Sequence, residues 1–73
     1  MTVHAAIDKN QYTRTDRNNE LIFMGCFMES NFTMRVKFLK DGLFDIDFLP
    51  PEPPISIKYI IRFSILKEEG LIG

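Results

Sequence analysis

The chain has 73 residues and a formal charge of −1 from nine basic and ten acidic residues, so it holds one small domain at most and presents no bulk field for phosphate or an anionic membrane. The same balance excludes an acidic mimic of nucleic acid that works by bulk charge. An apolar fraction of 45%, with seven phenylalanines, excludes a disordered polar chain, and a single cysteine excludes an intramolecular disulfide and a zinc site built from several cysteines.

Residues 1–19 read as a polar arm. A short TVHAAI run offers an edge strand, and a stretch rich in Asn, Asp, Thr and Arg that favours turns follows it. The arm lacks the basic start and apolar stretch of a signal peptide, and no apolar run approaches the roughly 20 residues that span a bilayer, so the expectation is a cytoplasmic protein with no membrane partner. The acceptor pattern Asn31-Phe32-Thr33 is then a chance match to a glycosylation site.

Residues 20–73 read as a single small β domain. Three apolar runs, LIFMGCFM, FTMRVKFLK and LFDIDFL, predict strands over 20–28, 32–39 and 43–49 in an antiparallel meander. The Asp41-Gly42 pair between the last two marks a hairpin. A two-residue loop there would set Phe38 against Asp45 and Val36 against Asp47. A three-residue loop over Lys40, Asp41 and Gly42, a type I turn with Gly42 left-handed, pairs Phe38 with Phe44, Val36 with Ile46 and Met34 with Phe48. It also pairs Lys37 with Asp45 and Arg35 with Asp47. The second register sorts apolar from charged residues and is the one predicted.

The PPEPP segment at 50–54 lacks a backbone donor at four of its five positions, ends the third strand and reads as a rigid connector rather than a proline ligand. The run ISIKYIIRFSIL then alternates, with Ile55, Ile57, Tyr59, Ile61, Phe63 and Ile65 in one row and Ser56, Lys58, Ile60, Arg62, Ser64 and Leu66 in the other. It predicts a fourth strand over 55–66. The alternative, a helix over 55–69 packed on a three-stranded sheet, draws on the preceding Pro pair. The fold class is therefore all-β, or β-rich α+β, with the sheet curled or closed into a small barrel.

On this reading Ile22, Met24, Cys26 and Met28 join the core with Met34, Val36, Phe38, Phe44, Ile46, Phe48 and the odd-numbered row of the fourth strand, which includes Ile55, Tyr59 and Phe63. The opposite face carries Phe23, Phe27, Arg35, Lys37, Lys58, Ile60 and Arg62, the candidate partner-binding residues, because aromatics beside cations on a sheet stack on bases or anchor a protein. Asp45 and Asp47 lie opposite the basic pair and cancel it, which favours a protein over nucleic acid. Those carboxylates read as ion-pair partners rather than an acid pair, and Cys26 as a small buried residue rather than a nucleophile. His4, the only histidine, has no second ligand at suitable spacing, and no Gly-rich phosphate loop is present, so no catalytic residue, cofactor or metal is expected.

The functional expectation is a non-enzymatic protein-binding module, an inhibitor or accessory subunit acting through a sheet face or edge on another protein or on itself as a homodimer. Its size suits a phage or mobile-element product. The alternative is a single-stranded nucleic-acid-binding sheet.

Overall fold

The structure, a computed structural model, describes residues 7–73. The TVHAAI run and His4 therefore lie outside the described residues, apart from Ile7, which is buried in the core. After a short 3₁₀ turn at Lys9–Gln11 come strands β1 (Tyr12–Arg17), β2 (Glu20–Phe27), β3 (Ser30–Phe38) and β4 (Phe44–Phe48), followed by helix α1 (Ile55–Glu68). The strands form one antiparallel sheet in the order β1-β2-β3-β4, and the sheet is open rather than closed into a barrel. The fold is a β-rich α+β meander with one helix on one face.

The β3–β4 hairpin has the expected register, with Phe38 opposite Phe44, Val36 opposite Ile46, Met34 opposite Phe48, Lys37 opposite Asp45 and Arg35 opposite Asp47. Leu39 N–H donates to the Leu43 carbonyl at 2.9 Å and encloses Lys40, Asp41 and Gly42. Gly42 is left-handed with φ of 73°, but Asp41 is left-handed as well, at 63°, so the loop is not the type I turn expected. Asp tolerates that region because its short side chain bonds locally.

Two expectations are corrected. Residues 55–66 are not a strand; the segment is the helix of the alternative reading, and the fourth strand of the sheet comes from the arm, at Tyr12–Arg17. Apolar residues occur all round the helix, which hid its stripe, yet Ile57, Ile60, Ile61 and Ile65 recur at helical spacing and face the core. The ends are marked too. Pro54 precedes the first turn, and Gly70, at φ of 74°, closes the last one while Leu71 N–H donates to the Leu66 carbonyl at 2.8 Å and Gly70 N–H to that of Lys67 at 3.1 Å. Tertiary demand decides the matter, because the apolar face of a twisted sheet needs a second layer.

The second correction concerns β2. Leu21 pairs with Val36 and Phe23 with Met34, so the odd-numbered row of β2 faces the helix. Phe23 is 0% exposed, and Phe27 is also buried, whereas Met24 is 53% exposed and Met28 and Cys26 face solvent. The cause is the two-residue turn at Met28-Glu29, with φ of 49° and 65°, a type I′ geometry that pairs Phe27 with Ser30. A pairing register shifted by an odd number of residues exchanges every side chain between faces. Gly25 completes the inner row, since a Cβ there would lie 2.2 Å from the Gln11 carbonyl oxygen and 2.9 Å from Tyr12 Cα. That close crossing is what lets Tyr12 set its ring edge-on to Phe23, with centroids 5.6 Å apart.

Candidate functional site: the open edge of β4 and the helix beside it

The seven residues singled out from sequence do not form one face. Phe23 and Phe27 are core. Arg35 and Lys37 lie on the uncovered side of the sheet, and Lys58, Ile60 and Arg62 lie on α1, across the sheet from them. Ile60 packs partly against the core. Lys58 and Arg62 do meet, one helical turn apart, in a groove between α1 and β4.

That groove encloses about 350 Å³ and is lined by Ile46, Asp47 and Phe48 of β4, Glu52 of the proline segment, and Ile55, Lys58, Tyr59 and Arg62 of α1. Lys58 Nζ bonds Glu52 at 2.6 Å and sits 5.9 Å from the centre of the Phe48 ring. The Arg62 guanidinium lies 5.0 Å over the Tyr59 ring. Ile55, Tyr59 and Phe63, spaced four residues apart, form an outward row on the helix, 69%, 61% and 58% exposed. Sequence reasoning placed these three in a buried strand row, although their spacing of four was the available sign of a helical ridge. Phe38, Leu39 and Leu43 continue the apolar surface at the far end of the β4 edge, around a shallow hollow that also involves Asn19, Lys40 and Asp41.

Among the described residues the backbone of β4 is open on this side, because β4 ends the strand order. Leu49 N–H donates to the Thr33 carbonyl at 2.9 Å and Leu39 N–H to Leu43. Since an antiparallel ladder alternates, Asp45 and Asp47 direct their backbone groups to β3, and Phe44, Ile46 and Phe48 turn theirs outward. A row of unpaired donors and acceptors beside exposed apolar side chains is a template for another strand.

Of the two carboxylates expected as ion-pair partners Asp47 is one, whereas Asp45 joins no ion pair among the described residues. Arg35 holds Asp47 through two bonds, Nε to Oδ1 at 2.9 Å and Nη2 to Oδ2 at 2.6 Å, and this guanidinium keeps the Asp47 carboxyl below the usual range. At the other edge Tyr12 Oη donates to Glu69 Oε2 at 2.6 Å, and Arg14 bonds both Glu69 Oε1, at 2.6 Å, and Asp16 Oδ1, at 2.7 Å. Burial pushes the Tyr12 phenol well above its ordinary range, and the bond to Glu69 and its charge add to this. Burial alone would raise the Glu69 carboxyl, but the bonds from Tyr12 and Arg14 outweigh it and leave the group lowered. These groups tie the end of α1 to β1, with the phenol protonated and the carboxylates ionised.

Among the described residues no three or more of His, Cys, Asp and Glu gather as a metal site, and no helix is long and apolar enough to cross a membrane. No protein-family model matches the chain, and neither a curated protein nor a solved structure matches it.

Proposed function

We propose that this chain is a small non-enzymatic protein-binding module, an inhibitor or accessory subunit that takes its partner on the β4 edge and the α1 ridge. The observation that carries this reading is the coincidence of backbone groups on Phe44, Ile46 and Phe48 that are unpaired among the described residues with the exposed row Ile55, Tyr59 and Phe63. Each feature alone is common on small domains. Together they supply the main-chain bonds and the aromatic anchors that strand addition uses.

The nucleic-acid reading loses its basis at Phe23 and Phe27, because buried rings offer no stacking platform. The cations on the uncovered face, Arg35 and Lys37, have Asp47 and Asp45 opposite them. Oligonucleotide binding that weakens with salt is the result that would restore it.

Recovery of the tagged chain from its native cells tests the module. The expected result is a stoichiometric partner that a Tyr59→Asp, Phe63→Asp double variant loses while its melting temperature is unchanged. A monomer at micromolar concentration that retains no partner would contradict the proposal.

A further inference from the structure

The two faces of the β4 edge differ in chemistry at every residue. Phe44, Ile46 and Phe48 face α1, whereas Asp45 and Asp47 face the uncovered side. Because the free backbone groups belong to the even-numbered residues, an antiparallel strand added there makes its hydrogen-bonded pairs with them. Its residues opposite Asp45 and Asp47 then fall at the non-hydrogen-bonded positions, where facing side chains approach most closely.

A second copy of β4 is a poor occupant. Pairing through these groups matches even with even and odd with odd, so every register that overlaps the two strands centrally sets an Asp directly against an Asp. Like charges directly opposite are destabilising, and the two aspartates therefore act against self-pairing at an otherwise open edge.

We propose that β4 accepts an extended segment of another protein in which apolar residues alternate with Lys or Arg, added as a further antiparallel strand. Its basic residues lie over Asp45 and Asp47, and its apolar residues enter the groove beside Tyr59. The inference rests on the protein-binding reading and names the chemistry of the partner. The molecule contains its own precedent, since β3 meets the other side of β4 with Arg35 opposite Asp47, Lys37 opposite Asp45 and Val36 opposite Ile46. The groove also fixes the register. A slip of one residue turns the basic side chains of the incoming strand toward Lys58 and Arg62 and sets its apolar ones against the aspartates.

The test is a titration of the isotope-labelled full chain, followed by its amide resonances, with a short capped peptide in which valine alternates with arginine. Parallel titrations use a peptide with glutamate in place of arginine and one with the same residues segregated into blocks. The expected result is perturbation centred on Phe44, Ile46, Phe48 and Tyr59, with the arginine peptide bound about tenfold or more tightly than the glutamate peptide. Asp45 joins none of the ion pairs among the described residues, so an Asp45→Thr variant, which sets no like charge against Lys37, keeps the fold and narrows that preference. Equal binding of the arginine and glutamate peptides overturns the charge rule while leaving the module reading intact. Failure of every peptide to perturb β4, equal binding of the block peptide, or dimerisation of the chain through β4 overturns the proposal. Recovery from native cells decides the module reading separately.

Discussion

The two edge strands of this sheet are built differently. On β1 only Tyr12 is buried, and an approaching strand meets Arg14 and Asp16 on one face and Thr13, Thr15 and Arg17 on the other. The C-terminal end of α1 closes onto that edge through Glu69. On β4 the side chains facing α1 are all apolar, the outer backbone groups have no partner among the described residues, and the N-terminal half of the helix leaves Ile55 and Tyr59 exposed beside it. Charge on both faces protects an edge, and charge on one face selects what pairs with it. The contrast ties β1 to the end of α1 and is the basis for the interaction role proposed for β4.

The largest expected effect tests the face assignment that underlies the contrast. Phe23→Ala should cost about 3–5 kcal/mol, enough to unfold a domain of this size, whereas Met24→Ala on the neighbouring residue should stay within about 0.5 kcal/mol. Chemical denaturation of both variants checks this, and similar losses would mean that β2 buries both rows. Next comes Gly25→Ala, which forces β1 and the preceding turn away from β2 and should cost about 1–3 kcal/mol with the loss falling on the β1 side. A variant of parental stability would show that the crossing is loose.

The clamp at β1 comes third. The folded-state pKa of Glu69 lies below its unfolded value, so its contribution is complete above the ordinary carboxylate range and is lost as pH falls through the folded value. Glu69→Gln should therefore destabilise by about 1–2 kcal/mol at neutral pH, with the difference from the parent shrinking in acid. A difference that is constant with pH would break the assignment. The smallest effect is a gain. Met28 and Glu29 hold left-handed conformations that suit Asn and Gly, so the Met28→Asn, Glu29→Gly double variant should be more stable by about 1 kcal/mol. A loss of stability would show that these side chains contribute contacts that outweigh the strain.

These same residues explain how much of the fold was legible. The β3–β4 hairpin could be read in full because its turn carries an Asp-Gly pair and its two faces separate apolar from charged residues. The face of β2 could not, since Leu21, Phe23 and Phe27 alternate with Ile22, Met24 and Cys26, both rows are apolar, and the turn that chooses between them carries no Gly, Asn or Pro. The helix was obscured by its β-branched residues and its second apolar row, although the Pro pair before it and the Gly70-Leu71 signal after it were present. Of the candidate site, Lys58 and Arg62 were identified with the wrong neighbours. Tyr59 and Phe63 were assigned to a core that the helix instead turns them away from.

Amide hydrogen exchange along the two edges tests the central assignment most directly. In the free chain Asp45, Asp47 and Leu49 should be protected while Phe44, Ile46 and Phe48 exchange fast. Saturation with the alternating valine–arginine peptide should slow those three selectively and leave the outward amides of β1 unchanged. Protection appearing on β1, or Phe44, Ile46 and Phe48 exchanging equally fast with and without the peptide, would contradict the account.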